Sequence, residues 1–229
     1  MAENRFDHLS GVRHIVWDWN GTLLDDNHAN LTALNRVCEP FGRAPVDLDY
    51  WRTVFRRPLL ACYEDHLGRP LDEGEWAWLN TEYDRHYRAH LPGCGLAAGV
   101  PDVLVGWGAA GGSQSLLSMA SHGHVVDLVA ERGLSGHFTR VDGRKFDAAD
   151  DSKAQHLVHH LGEQGIDPAT VVLIGDIDDD ARAAREAGAH ALLVSSGMMS
   201  RERLEATGGP VVGSPVEAVR ALTEVRSAA

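Results

Sequence analysis

The sequence predicts a doubly wound α/β fold, a parallel sheet flanked by helices, with a helical segment inserted near its start. Three observations predict it. Short apolar, β-branched runs recur at 12–18, 114–119, 170–174 and 190–194, the length and character of strands buried on both faces. Helical-looking stretches around 121–132, 152–163 and 179–187 separate them, and such alternation implies parallel crossovers. From about 26 to 92 the alternation stops, and Trp, Tyr, His, Arg and Glu mix at helical spacing without a convincing strand run.

Taken in order, Val12 to Asp18 forms the first strand and ends in an acid, and Asn20-Gly21 breaks it. The insertion at 26–92 then leaves 1–25 and 93–229 as the α/β core. Leu91-Pro92-Gly93-Cys94-Gly95 supplies the return hinge, and Pro101 opens the next helix. Trp76, Trp78, Tyr83 and Tyr87 fit packing inside the inserted bundle. The tail beyond about 200 carries nothing diagnostic.

Composition narrows the partners. The chain has 229 residues, 44% hydrophobic and 24% charged, ordinary for a folded globular protein. A formal net charge of −12 opposes nucleic-acid binding, which draws on clustered Lys and Arg, yet leaves room for a small anionic substrate whose charge is met locally. The first residues lack the basic start and apolar run of a secretion signal, and no run of about 18 apolar residues could span a bilayer. The expectation is a cytoplasmic protein that binds neither nucleic acid nor membrane; its oligomeric state is not legible. Cys38, Cys62 and Cys94 are odd in number and lack metal-ligand spacing, so free thiols are expected.

In open parallel sheets, functional groups collect beyond the carboxyl ends of the strands. The first strand ends in Asp18-Trp19-Asn20-Gly21-Thr22, the second in Ser118, and a later one in Gly175-Asp176 followed by Asp178, Asp179 and Asp180; Lys153 opens the helix before that strand. Together these describe a phosphate site. Asp18 can attack phosphorus to give an aspartyl-phosphate, and Asp18 with Asp176 supplies the hard oxygens Mg²⁺ prefers. Ser118 would hydrogen-bond a phosphoryl oxygen, and the Lys153 ammonium would offset charge on the nucleophile and transferring group. The chain has only two lysines, Lys145 and Lys153; Lys145 is the lesser candidate.

These residues resemble, in order and spacing, the four motifs of the haloacid dehalogenase superfamily: an Asp-x-Asp-x-Thr loop, a strand-ending Ser or Thr, a Lys, and Gly-Asp-x-x-x-Asp. The resemblance covers nearly the whole chain and looks most like the phosphoglycolate phosphatase and β-phosphoglucomutase branch. It implies a HAD-like core with a helical cap at 26–92, a Mg²⁺ cofactor, and a phosphatase acting on a small phosphorylated metabolite such as phosphoglycolate or a sugar phosphate. It also implies that the metal is held by Asp18, the Asn20 backbone carbonyl and Asp176, with Asp180 joining the set or partnering Lys153. Thr22 would help bind substrate, and Arg56 and Arg57, just before Pro58, stand where the cap reads it.

One position departs from the pattern. Where the family's phosphatases carry an Asp that protonates the leaving oxygen and later activates water, this chain has Asn20, and an amide cannot transfer that proton. General acid–base catalysis contributes on the order of 10²–10⁴ in rate. Three explanations stand open: a substrate with a good leaving group, a substitute acid among Asp25, Asp26 and His28, or a phosphate-ester binder with little turnover. Mutase activity is disfavoured by the same residue. Phosphonate hydrolysis lacks its cap lysine, since 26–92 contains none, and dehalogenation is disfavoured by Asp176, Asp179 and Asp180. His156, His159 and His160 share a helical face, read as solvated or partly buried rather than metal-binding.

Overall fold

The computed structural model describes residues 5–145 and 152–228. Six parallel strands, β1 (His14–Trp17), β2 (Ser113–Ser121), β3 (Val141–Arg144), β4 (Val171–Gly175), β5 (His190–Val194) and β6 (Val211–Val212), lie in the order β3-β2-β1-β4-β5-β6. Trp17 pairs with Leu116 on one side and Ile174 on the other. Strand order therefore reverses at β1, and a crevice opens beyond its carboxyl end. The expected strands at 12–18, 114–119, 170–174 and 190–194 are β1, β2, β4 and β5 within three residues at each end. The two edge strands escaped the pattern because β3 is Val-Asp-Gly-Arg and β6 has two residues, too polar or too short for an apolar run to mark them.

Between β1 and β2 lie helices α1 (Asn27–Cys38), α2 (Leu48–Val54), α3 (Leu59–Leu67) and α4 (Glu73–His90), followed by α5 (Val100–Ala109). Helices α1 to α4 share an apolar cluster built from Leu34, Val37, Trp51, Cys62, Tyr63 and Leu79, joined by Met198 from beyond β5. The start of α4 follows from a capping box: the Asp72 carboxylate accepts the Glu75 N–H at 2.8 Å while the Glu75 carboxylate accepts the Asp72 N–H. Trp78 departs from the expected interior packing; it is 41% exposed and lies against Phe41 at the surface.

The strands separate two apolar layers, as side chains alternate along a pleated backbone. Ile15, Trp17, Val172 and Ile174 face α5, α6 (His122–Glu131) and α10 (Pro215–Ala228). Val16, Leu117, Val171 and Leu173 face α7 (Ala154–Gly162) and α8 (Asp178–Ala187). A short α9 (Arg201–Glu205) precedes β6. Among the described residues no helix is long and apolar enough to cross a membrane. All three cysteines are free.

A polar chain runs through the layer beneath α7. Asp142 on β3 bonds His160 Nδ1 at 2.8 Å, His160 Nε2 meets the Ser115 hydroxyl at 2.8 Å, and His14 on β1 bridges Ser115 and Ser113 at 2.7 Å each. His160 is fully buried here, which removes it from any histidine face on α7, while His159 is exposed. Burial, with the neighbouring His160, lowers the His14 pKa to about 4. A histidine depressed in the fold contributes stability above its unfolded pKa, near 6.5, and loses it as pH falls through the folded value. Unfolding free energy should therefore drop by on the order of 2–3 kcal/mol between pH 7 and pH 4 from this group. Urea titrations across that range would show the drop shrinking in His14→Gln; an unchanged pH profile would refute the assignment.

Candidate active site

Four elements deliver the site to the crevice beyond β1. Asp18 follows β1 directly, Ser118 lies within β2, Lys153 precedes the first turn of α7, and Asp176 follows β4. Strand β2 shifts register against β3 between Leu117 and Ser121, the kind of irregularity that re-aims a side chain beside an active site. The Ser118 hydroxyl there accepts the Ala120 N–H at 3.1 Å and donates to the Asn20 amide oxygen at 3.2 Å.

Asp18, Asp176 and Asp180 are buried, with one carboxylate oxygen of each within 4.8 Å of the others. Lys153, also buried, donates to Asp18 and, at 2.5 Å, to Asp180. Burial raises the Asp18 carboxyl to about 6; Asp180 adds to the rise and the Lys153 ammonium opposes it. Asp176 is driven well above the usual carboxylate range by burial and by the charges of Asp18 and Asp180. For Lys153, burial acts downward, but the two carboxylates outweigh it and hold the ammonium charged. One cation among three buried carboxylates leaves net negative charge in a medium where charge is costly. A divalent cation answers that imbalance, and the oxygen-only donor set suits a hard ion such as Mg²⁺.

Asp176 is gripped on both oxygens, accepting the Met198 N–H at 2.6 Å and facing the Thr22 hydroxyl at 3.5 Å. Backbone passes so close that only glycine fits on either side: a Cβ at Gly21, whose φ is +70°, would sit 2.4 Å from Asp176 Oδ2, and one at Gly197 only 2.0 Å from it. Asp180 spends its oxygens on Lys153 and on the Ile177 N–H at 3.2 Å, so it holds the lysine in place while standing within reach of the metal position. Asp179 accepts the Lys153 backbone N–H at 3.1 Å and pairs with Arg182 at 2.6 Å.

Two sequence expectations are corrected by this geometry. Thr22 is fully buried against Asp176 and does not line the cleft, so it fixes a carboxylate instead of touching substrate. Arg56 forms an exposed ion pair with Asp65 on α3 and is not among the residues lining the cleft, whereas Arg57 lines it and lies 4.0 Å from Asp179. Adjacent residues flanking a helix start aim in different directions, so the pair does not act as a double clamp. Lys145, the other lysine, pairs with Asp142 at 2.6 Å.

Sequence reading missed how Asn20 is held. The buried Asp26 carboxylate accepts four donors: the Gly21 N–H at 2.8 Å, the Asn20 amide at 2.7 Å, the Tyr87 hydroxyl at 2.6 Å and the Asn30 amide at 2.8 Å. Burial pushes its pKa up and these donors only partly oppose the rise; both Asp26 oxygens are taken up by inbound donors and neither is aimed at Asp18. Asn20 Nδ2 also reaches the Tyr87 oxygen at 2.7 Å. Asp25 and His28 are exposed. None of the three candidate substitute acids is therefore presented to Asp18. No local signal could have found this bracket, because Tyr87 lies 61 residues from Asp26.

Above the carboxylates, helices α1 to α4 wall a cleft of about 760 Å³ that reaches down to Asp18, Asn20, Lys153 and Asp176. Tyr63, Trp76, Leu79 and Met198 line it, with Tyr83 and Tyr87, so the two tyrosines expected to pack only within the helices also face the site.

Known proteins share this layout. Residues 149–224 match the family model described as HAD-hydrolase-like. The phosphoglycolate phosphatase of Synechococcus elongatus is 26% identical over 223 residues, covering 93% of this chain and 99% of its own, and that of Chromobacterium violaceum is 25% identical over 86% and 91%. A haloacid dehalogenase-like family hydrolase from Streptococcus pneumoniae superposes with a TM-score of 0.78 at 18% identity, over 92% of this chain and 98% of that one. The family model, the full-length relatives and the fold together support a hydrolase of the haloacid dehalogenase superfamily.

Proposed function

We propose that the protein is a Mg²⁺-dependent phosphatase that transfers the phosphoryl group of a small phosphomonoester to Asp18 and then to water. The observation that carries this reading is the buried Asp18–Lys153–Asp180 ion triad beside Asp176 at the point where strand order reverses. Asp18, Asp176 and the Asn20 backbone carbonyl would hold the metal, with Asp180 at its edge. When bound, Mg²⁺ would neutralise charge on the phosphoryl oxygens.

The chain's own groups do the rest. Lys153 keeps the Asp18 carboxylate ionised and aimed, and offsets charge developing on the transferring group. The Ser118 hydroxyl exchanges its bond to Asn20 for one to a phosphoryl oxygen. Residues 26–92 act as a cap on a core of 1–25 and 93–229, and closing the cleft excludes water from the reacting groups. Arg57 and Arg88 bring the cap's positive charge to the cleft wall. Phosphoglycolate, the substrate named for several relatives, and sugar phosphates are the first compounds to try.

Phosphate release with and without Mg²⁺ tests the reading, with Asp18→Asn as blank. Metal-dependent release absent from the blank supports it. Silence across alkyl, aryl and acyl phosphates would favour a binding protein, the reading that Asn20 invites.

A further inference from the structure

Among the described residues, the ionisable groups nearest Asp18 are already committed. Asp26 accepts from four donors, Lys153 is shared between two carboxylates, and the Tyr87 proton is given to Asp26. His124 also lines the cleft, but its Nδ1 lies 3.2 Å from the Arg88 guanidinium, and burial and that charge keep the imidazole neutral at pH 7. The orientation of Asn20 follows from the same bracket: its Nδ2 must face the Asp26 carboxylate, so only the amide oxygen faces Ser118 and the site. Among the described residues, the groups nearest the phosphoryl position, Asn20, Lys153 and Asp26, thus offer neither a free acid nor a free base. The cleft walls add a second observation. A two-carbon phosphoester fills a space on the order of 100 Å³, a few water volumes, whereas this cleft holds about 760 Å³ between Leu34, Leu59, Tyr63, Trp76, Leu79 and Met198.

Resting on the phosphatase reading above, we propose that the site is built for aryl phosphates, whose phenolate departs without protonation, and that the enzyme accumulates as its Asp18 acyl phosphate. In the first step an Asp18 oxygen forms a bond to phosphorus while the P–O(aryl) bond breaks; the phenolate leaves with the electron pair and takes its proton from bulk water. In the second, water attacks phosphorus, the P–O(Asp18) bond breaks, the carboxylate is regenerated, and the water proton ends on the released phosphate. With no base beside it, the second step is the slower one. The apolar walls hold the ring.

The test uses the full chain with Mg²⁺ and a series of substituted phenyl phosphates, with acetyl phosphate and phosphoglycolate alongside. Three results are expected. First, kcat/KM falls on the order of tenfold for each unit by which the phenol becomes more basic, while kcat stays within about twofold among the activated members, because all share one intermediate. Second, a burst of about one phenolate per chain precedes steady state. Third, acetyl phosphate, activated but lacking a ring, falls at least about tenfold below 4-nitrophenyl phosphate in kcat/KM. In Asn20→Asp the slope flattens and the burst vanishes; should that carboxylate beside Asp26 disturb folding, Asn20→Asp combined with Asp26→Asn keeps the hydrogen bond with donor and acceptor exchanged. A flat series with metal-dependent turnover, a missing burst, or acetyl phosphate equal to the aryl esters would overturn the proposal and leave the phosphatase standing. No release from 4-nitrophenyl phosphate and no label on Asp18 would overturn both.

Discussion

Asp18→Asn should lower metal-dependent phosphate release by at least about 10³-fold, the scale on which removing a nucleophile acts, while leaving the metal-free fold as stable as the parent or more so. The two halves have one cause. The Asp18 carboxylate is held ionised in a buried site for chemistry, and burial with the Asp180 charge raises its pKa to about 6. A carboxyl raised in the fold carries a penalty when ionised; stability is highest below its unfolded pKa and is lost as pH rises through the folded value. At pH 7 to 8 the penalty is present, roughly 3 kcal/mol, and a neutral amide of the same shape removes it while Lys153 keeps Asp180. Stabilisation by Mg²⁺ should shrink in parallel. Urea unfolding in chelator, beside phosphate release, measures both; undiminished release would remove Asp18 as nucleophile.

Lys153→Met should act in the opposite direction on stability. It takes the ammonium out of a cluster in which Asp18 and Asp180 each pair with it, and leaving buried charges without their partner costs about 3–5 kcal/mol. Turnover should fall as well, by on the order of 10²–10³, the scale of losing one preorganised charge at a developing oxyanion. Lys153→Arg should not rescue, because a planar guanidinium cannot take the place of a compact ammonium wedged between two carboxylates. Chemical denaturation with an unchanged m-value would report the loss. A variant within 1 kcal/mol of the parent, at the limit of ordinary surface changes, would show that the site is neutralised by something other than this lysine.

Much of the arrangement was legible along the chain because its signals are local. Val12 to Asp18 reads as a buried strand, and the acid at its end, the Ser in β2, the Lys opening α7 and the Gly-Asp after β4 each sit at an element boundary that periodicity can locate. Their convergence follows from topology, since parallel strands place their carboxyl ends on one edge of the sheet. The helical character of 26–92 was equally visible, because tryptophans and tyrosines repeat at helical spacing there.

Other features depend on which side chains meet across distance. Nothing near Asp26 shows that it will collect hydrogens from Gly21, Asn20, Asn30 and Tyr87, yet that bracket decides which face of the Asn20 amide the site sees. Gly197 and Met198 follow β5 without any motif, and only the approach of their backbone to Asp176 gives them a role. Arg56 and Arg57 are identical by type and adjacent, and the helix that begins at Leu59 alone sends one into an exposed ion pair and the other to the cleft. The sequence by itself determined the four central strands, the order of the reactive residues and the candidate nucleophile, since strand periodicity and residue chemistry are properties of a short stretch of chain. Tertiary structure alone decided the charge balance, the orientation of Asn20 and the width and lining of the cleft, because burial and hydrogen-bond geometry arise only when residues distant in sequence are packed together.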